Sequence, residues 1–157
     1  MTAGPVNIHA TTIVIGTIGL LFVGDSGSGK SMMAFACLAA ARREAQFAAL
    51  VADDRTLISQ FGKQVMAEQP PSIAGLIELR GSGIASVEQT TASLVHYAVR
   101  PVKHADTQRL PPEGETYALP GGGVLPLLRI DVGAPDPLAI LTALIPNLLT
   151  AERSQWR

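Results

Sequence analysis

The feature that most constrains this chain is a glycine-rich segment that fits the pattern G-x-x-x-x-G-K-[ST] in full. Its eight residues are Gly24, Asp25, Ser26, Gly27, Ser28, Gly29, Lys30 and Ser31. The apolar run Ile18–Val23 precedes them and a helix-forming stretch follows. The glycines allow a tight turn that points backbone N–H groups at phosphate oxygens, and the start of the helix adds to this attraction. The segment therefore predicts a nucleoside triphosphate site rather than a plain glycine-rich turn, with Lys30 on the β/γ-phosphates and Ser31 on Mg²⁺.

Composition limits what can surround this loop. The 157 residues suffice for one domain, residues 1–157, and a hydrophobic content of 47% suffices for a buried core. The net charge is −1 and no basic block occurs, which argues against nucleic acid and acidic membranes as partners. The sequence has no apolar run of transmembrane length and no signal-peptide pattern at its start. We therefore expect a cytoplasmic protein in which the single Cys37 is a buried thiol.

The order of apolar and polar runs predicts an α/β fold. β-rich runs over residues 8–15 and Ile18–Val23 are separated by Gly16 and Thr17, which suit a tight hairpin. Residues 31–44 have helical periodicity. Because the loop follows an antiparallel pair, we predict a single P-loop domain with a mixed, partly antiparallel sheet and flanking helices. Further strands are expected over residues 47–52, 56–61, 93–102 and 124–132, and a closing helix over residues 138–149.

Residues 103–123 are polar and rich in proline and glycine. A segment of this length without secondary structure is uncommon in a small domain unless it has a function or is disordered. We therefore predict a mobile loop over this range.

Two adjacent carboxylates, Asp53 and Asp54, follow the apolar run over residues 47–52. A carboxylate at the end of a strand, downstream of a phosphate loop, commonly holds Mg²⁺ or activates the attacking group. Successive side chains point to opposite sides of a strand, so we expect one carboxylate to face the γ-phosphate and the other to orient a neighbour. The alternative is an Asx turn or a cap of the next element. The nearby phosphate loop favours the functional interpretation.

Further motifs extend this pattern to most of the chain. His9 precedes the loop, residues 51–55 read Val-Ala-Asp-Asp-Arg, and residues 76–84 read Leu-Ile-Glu-Leu-Arg-Gly-Ser-Gly-Ile. In this order the motifs resemble the catalytic domain of bacterial HPr kinase/phosphorylase, whose signature is L-E-I-R-G-x-G-I. Residues 106–110 are similar to the D-R-L segment of that family. The resemblance does not include the usual N-terminal domain of the family, so we expect the short form that alphaproteobacteria carry.

The resemblance implies a function and a set of partners. It implies an ATP- and Mg²⁺-dependent protein serine kinase of the P-loop type that phosphorylates the phosphocarrier protein HPr of the phosphotransferase system. Residues 103–123 would include the loop that meets this protein substrate. Members of the family form hexamers in which neighbouring subunits share the substrate site, so a homo-oligomer is expected.

The resemblance also implies a role for each site residue. Asp54 is expected to take the proton from the serine hydroxyl, a task that suits a carboxylate ionised at pH 7. Asp53 would orient Mg²⁺ or the loop. Glu78 and Ser31 are the expected magnesium ligands, because this cation prefers oxygen donors. Lys30 would neutralise phosphate charge.

Three further residues match functional positions of the family. Arg80 and Arg109 are expected to hold phosphate oxygens through their guanidinium groups. For Arg109 the alternative is a solvated loop residue. His9 is expected to steady Asp54 or phosphate, although a lone histidine on an apolar strand is more often a core residue.

Two departures from the family pattern bear on the chemistry. Met32 occupies the position after Ser31 where the family usually carries an acidic residue, so metal handling is expected to differ. Residues 120–123, Pro-Gly-Gly-Gly, align with a stretch whose arginines the family links to dephosphorylation. We therefore expect kinase activity with at most weak phosphorylase activity.

Two other functions fit the same loop. A nucleotide-sensing interaction module without catalysis is compatible with Met32 and the altered glycine stretch, but it has little need of Asp53, Asp54 and Glu78. A small-molecule P-loop kinase is also possible from the loop alone. The signature over residues 76–84 argues against it, because in this resemblance that stretch belongs to carrier-protein kinases.

Overall fold

The structure, a computed structural model, describes residues 4–71, 75–106 and 109–149. Twelve strands and two α-helices occur within these ranges, with a short 3₁₀ turn at His104–Asp106. The strands are β1 (Val6–Ile8), β2 (Ala10–Ile15), β3 (Ile18–Val23), β4 (Ala48–Ala52), β5 (Thr56–Phe61), β6 (Gln64–Glu68), β7 (Leu76–Leu79), β8 (Gly83–Ser86), β9 (Ala92–Val95), β10 (Tyr97–Val102), β11 (Thr116–Ala118) and β12 (Val124–Asp131). The helices are α1 (Lys30–Arg43) and α2 (Pro137–Leu144).

A six-stranded mixed sheet carries the glycine-rich loop. Its strands lie in the order β11-β12-β10-β3-β2-β4. β3 pairs in parallel with β10, which pairs in parallel with β12, whereas β2 is antiparallel to both β3 and β4. The predicted α/β class with a mixed, partly antiparallel sheet is confirmed.

The predicted hairpin before the loop is also present. Ile15 pairs with Ile18, and Gly16 and Thr17 form the two-residue turn between β2 and β3. Gly16 has a positive φ of 61°, which a glycine adopts without strain. The hairpin returns the chain so that β3 ends directly at the loop.

Side chains of β3 alternate between two hydrophobic cores. Leu20 and Phe22 pack on the side of α1, α2 and β7. Leu21 and Val23 pack on the opposite side against a second sheet, whose strands lie in the order β1-β5-β6-β9. The loop therefore begins at the edge where these two layers meet.

Helix α1 agrees closely with the prediction. It begins at Lys30, and Gly29 adopts a left-handed φ of 101° immediately before it. Cys37 is fully buried in its core-facing side. Burial and, to a lesser extent, the charge of Asp136 raise the pKa of the Cys37 thiol to about 12. None of the helices in the described parts of the chain has both the length and the apolarity to cross a membrane.

Two of the predicted strands are each two strands in different sheets. The run over residues 8–15 is interrupted at His9, with β1 in the second sheet and β2 in the central one. The run over residues 93–102 is interrupted at His96, between β9 and β10. There Gly19 N–H donates to His96 Nδ1 (3.0 Å) and His96 N–H donates to the Gly19 carbonyl (2.9 Å). These contacts hold the chain where it crosses between the sheets.

The closing helix is shorter than predicted. It begins at Pro137 after Asp136, whose carboxylate accepts a hydrogen bond from Ala139 N–H (3.1 Å) as expected for an N-cap. It ends at Leu144, because Pro146 disfavours helical backbone at Ile145, which is extended. The predicted end at residue 149 is therefore wrong.

Four strands were not predicted. β6 completes a hairpin with β5, β7 and β8 form a hairpin with each other, and β11 lies inside the predicted loop over residues 103–123. Leu119 in that range is buried in the core shared with the second sheet. Part of the range is therefore built into the fold. Thr107 and Gln108, in the D-R-L-like segment, lie outside the described residues.

Candidate active site

A cleft of about 200 Å³ opens beside the glycine-rich loop. The loop and the start of α1 form one wall, the end of β4 another, and the β7–β8 hairpin a third. The lining residues are Ser26, Gly27, Gly29, Lys30, Ser31, Met32, Asp53, Asp54, Glu78 and Arg80. The fold thus brings together most of the predicted site residues from three distant parts of the sequence.

The loop has the backbone that its glycines permit. Gly24, Gly27 and Gly29 have φ values of 142°, 81° and 101°, which residues with a side chain rarely adopt. Lys30 is 5% exposed, and its Nζ donates to the carbonyls of Gly24 (2.8 Å) and Asp25 (3.0 Å). Burial lowers the pKa of Lys30, and nearby carboxylates partly oppose this shift. The ammonium is therefore held inside the loop, where it can meet phosphate.

Asp53 is the buried member of the carboxylate pair. It follows β4 and is 9% exposed. Its Oδ1 accepts hydrogen bonds from Thr11 Oγ1 (2.9 Å) and Ser31 Oγ (2.6 Å), and its Oδ2 accepts one from Glu78 N–H (3.1 Å). Asp53 is therefore hydrogen-bonded to residues of β2, α1 and β7 at the cleft. Such bonds fix the orientation of the neighbouring side chains and backbone.

Asp54 is the exposed member of the pair. Its side chain is 62% exposed, and its backbone φ of 66° is left-handed, a conformation that aspartate tolerates better than most residues. Its N–H donates to Thr11 Oγ1 (3.3 Å), and its carboxylate is hydrogen-bonded to His9 Nε2. The two carboxylates thus differ in burial and in hydrogen-bond partners, although both line the cleft.

His9 lies between β1 and β2, and its side chain is 45% exposed. It is not a core residue, so the alternative drawn from its apolar surroundings is wrong. Its Nε2 faces Asp54 Oδ1, which leaves Nδ1 for another partner. The interruption between the two strands is what turns this side chain out of the core.

Glu78 and Arg80 come from the β7–β8 hairpin. Ile77 is fully buried against the α1 side of the core and anchors the hairpin there. Glu78 lines the cleft and also donates its N–H to Asp53. The Arg80 guanidinium passes so close to the loop that a Cβ added at Gly27 would lie 3.3 Å from its Nη1. Arg80 is thus placed against the phosphate loop.

The oxygen atoms that face the cleft are suitable ligands for Mg²⁺. The Ser31 hydroxyl and the carboxylates of Asp53 and Glu78 all supply oxygen, the ligand that this cation prefers. The two predicted metal residues therefore lie at one cleft, together with Asp53.

Arg109 is not brought to this cleft. It is exposed, and it is not among the residues that line the cleft. Its role stays a prediction.

Thr11 is a site residue that was not predicted from the sequence. It is a fully buried hydroxyl in an apolar strand. Such a group usually has a specific hydrogen-bond partner.

A comparison with protein-family models matches residues 2–103 to the HPr serine kinase C-terminal domain. The match covers the loop, both carboxylates and the β7–β8 hairpin. The chain belongs to this family.

Relatives of the HPr serine kinase family share part of the chain. An HPr kinase/phosphorylase of Lacticaseibacillus casei is 34% identical in an alignment 100 residues long, which covers 57% of this chain and 30% of that protein. An HPr kinase/phosphorylase of Mycoplasmopsis pulmonis is 33% identical over 85 residues, 54% of this chain and 26% of that protein. The chain therefore spans less than a third of the length of these curated relatives.

The fold agrees with a solved structure of the same kind. The structure of the HPr(Ser) kinase/phosphatase from Coxiella burnetii has a TM-score of 0.71 to this chain at 25% sequence identity. The match covers 88% of this chain and 93% of the other. Most of the described fold is therefore shared with that protein.

Proposed function

We propose that this chain is the catalytic domain of an ATP- and Mg²⁺-dependent protein serine kinase whose acceptor is an HPr-like phosphocarrier protein. The observation that carries the proposal is the exposed Asp54 carboxylate, hydrogen-bonded to His9, at the rim of a cleft lined by the phosphate loop. A carboxylate in this position can receive a proton from a hydroxyl that approaches from solvent. Membership of the HPr serine kinase family supports the choice of acceptor.

The residues divide the work of phosphoryl transfer. The backbone of the loop, Lys30 and Arg80 would bind and orient the phosphates of ATP. Ser31, Glu78 and Asp53 would hold Mg²⁺, which neutralises charge on the transferred group when it is bound.

Asp54 would act on the acceptor. The serine oxygen attacks the γ-phosphorus and forms the new P–O bond, while the bond between the γ-phosphorus and the ADP oxygen breaks. The proton of the serine hydroxyl passes to Asp54. The bond from His9 would keep the carboxylate turned toward the incoming hydroxyl, so His9 is a positioning residue.

An intact-mass measurement tests the proposal. The purified chain is incubated with ATP, MgCl₂ and the HPr protein of its own organism, and HPr should gain the mass of one phosphoryl group. Lys30→Ala should prevent the gain, whereas Arg42→Gln, at the far end of α1, should not. If HPr keeps its mass although the chain binds nucleotide, the kinase proposal is wrong.

That last outcome would favour a second candidate, a nucleotide-sensing module. Met32 supports it, since this apolar side chain is 47% exposed and lines the cleft beside the predicted metal ligands. Such a module would bind ATP and change its partner or assembly without transferring phosphate.

Two finer points belong to the same proposal. The resemblance supports a homo-oligomer, a hexamer by analogy, and light scattering of the purified chain tests it. Weak phosphorylase activity is expected because residues 120–123 carry no arginine. That activity is measured as the dephosphorylation of phosphorylated HPr when inorganic phosphate is added.

A further inference from the structure

The cleft that contains Lys30, Asp53 and Glu78 is called the phosphate cleft below. A second cavity, of about 580 Å³, lies on the other side of the glycine-rich loop. His9 and the loop residues Gly24, Asp25 and Ser28 form one side of it. Its other walls include Asn7, Arg100 and Tyr117. The cavity is larger than the phosphate cleft and shares no lining residue with it.

The cavity lies on the side of the central sheet that faces the second sheet. Along β10, Val99 packs on the α1 side, whereas Ala98 packs on the opposite side. Because side chains alternate along a strand, Arg100 lies on the same side as Ala98. Tyr117 also packs against that core. The loop therefore separates two cavities, one on each side of the sheet.

Arg100 is the cation of this second cavity. The neighbouring Arg129, aligned with it on β12, forms an ion pair with Glu115. Arg129 Nε donates to Glu115 Oε1 (2.7 Å) and its Nη2 donates to Oε2 (2.5 Å), so both carboxylate oxygens are engaged. Among the described residues no hydrogen bond or ion pair engages the half-buried Arg100.

Three further polar side chains of the cavity, those of Asn7, Tyr117 and Ser28, can donate hydrogen bonds. Asn7 and Tyr117 offer an amide and a phenol. Ser28 Oγ is buried and has no hydrogen-bond partner within the described ranges. Among the described residues, Asp25 is the one acidic side chain that lines the cavity, and it is exposed to solvent. A half-buried guanidinium with hydrogen-bond donors beside it can bind an oxyanion.

We propose that this cavity is an oxyanion subsite anchored by Arg100, on the acceptor side of the phosphate loop. Its relation to the reaction rests on the proposed kinase function. His9 lines the cavity while its bonding partner Asp54 lines the phosphate cleft, so the pair connects the two. The oxyanion is a phosphate or carboxylate group. It arrives either as free inorganic phosphate or as an anionic side chain of the acceptor protein.

Phosphate binding to the nucleotide-loaded chain tests the subsite. The cleft is first saturated with Mg²⁺ and AMP-PNP, and inorganic phosphate is then titrated at constant ionic strength by calorimetry. One phosphate per chain should bind, and Arg100→Gln should weaken it at least tenfold without changing the affinity for AMP-PNP. The matched control Arg42→Gln, which removes an arginine remote from both cavities, should bind phosphate as the unchanged chain does.

Two results would overturn the subsite: no phosphate binding to the loaded chain, or equal binding by Arg100→Gln. Neither result bears on whether HPr gains a phosphoryl group, so the proposed function is tested separately by the mass measurement. If AMP-PNP itself fails to bind, the titration is done with phosphate on Lys30→Ala, in which the phosphate cleft is disabled. Phosphate binding that depends on Arg100 there would support the subsite although the kinase proposal had failed, and its absence would overturn both.

Acceptor kinetics then identify the source of the oxyanion. In phosphate-free buffer, a raised KM for HPr with unchanged kcat in Arg100→Gln assigns the subsite to an anionic side chain of the acceptor. An unchanged KM assigns it to free phosphate.

Discussion

His9 and Asp54 are separated by 45 residues of sequence, and their side chains are hydrogen-bonded at the rim of the phosphate cleft. Neither group is buried, with exposed fractions of 45% and 62%. Asp54 also keeps a left-handed backbone conformation, which is uncommon for a residue with a side chain. The chain thus holds a solvent-accessible carboxylate in a fixed orientation, and a proton acceptor for an incoming protein hydroxyl needs this property.

Asp54→Asn is expected to stop transfer and to spare nucleotide binding. Asparagine accepts the left-handed backbone and keeps the shape of the side chain, but it cannot take the serine proton. Loss of general base catalysis typically reduces the rate by about 10²- to 10⁴-fold. Single-turnover phosphorylation and calorimetric AMP-PNP binding measure the two effects. Glu88→Gln, the same chemical change on a carboxylate that pairs with Arg42 away from the cleft, is the control. An unchanged transfer rate in Asp54→Asn would exclude the role as base.

Asp53→Asn should behave differently, because Asp53 is buried and accepts three hydrogen bonds. An amide has one acceptor oxygen, so at least one of Thr11, Ser31 and Glu78 N–H loses its partner. A buried group left without a partner costs about 1–3 kcal/mol of unfolding free energy. We expect a lower urea midpoint and weaker Mg²⁺-dependent nucleotide binding. Equal urea midpoints for the Asp53 and Asp54 variants would contradict the assignment of separate roles.

The sequence predicted the loop, α1 and the hairpin before them because each is set by local chemistry. Glycines at required positive φ angles, a two-residue turn and a helical period are visible within a few residues of each other. Arg80 and Glu78 were found through the resemblance, and the β7–β8 hairpin brings them to the cleft.

The remaining features depend on contacts distant in sequence. The interruptions at His9 and His96 arise because the chain changes sheet there, and local β-propensity is the same on both sides of each break. The surroundings of Arg100 depend on Arg129 of β12 and on Glu115, which directly precedes β11. The end of α2 does not depend on distant contacts. It could have been predicted from the sequence, because Pro146 disfavours helical backbone at the residue before it.

Stability should depend on pH through the Glu115–Arg129 pair. The hydrogen bonds from Arg129, followed by its charge and that of Arg100, lower the pKa of Glu115 from its ordinary value of 4.5, with burial opposing. A carboxyl whose pKa is lower in the folded chain stabilises the fold above the unfolded value and loses this contribution as pH falls through the folded value. The difference in urea midpoint between the unchanged chain and Glu115→Gln should therefore be constant from pH 7 to about 5 and should close at lower pH. A difference that stays the same down to pH 3 would contradict this.

Gly19→Ala should destabilise the fold although φ at this position is not positive. A Cβ on Gly19 would lie 1.9 Å from the carbonyl oxygen of Leu94 and 3.0 Å from Val95 Cα, so it would meet backbone that cannot rotate away. Relief requires β3 to separate from the end of β9, which breaks the two hydrogen bonds between Gly19 and His96. Overpacking of this kind costs about 1–3 kcal/mol or more.

The matched control for this change is Gly4→Ala, because a Cβ there meets no atom within 4 Å. Urea unfolding of both variants measures the difference, and the Gly19 variant alone should show a lower midpoint. The same variant should also report on the site, since β3 leads directly into the loop and β9 leads into the strand that carries Arg100. If the clash is absorbed by a shift of β3, nucleotide affinity should fall together with stability. Equal midpoints for the two variants would mean that the close approach of β3 and β9 does not hold the two sheets together.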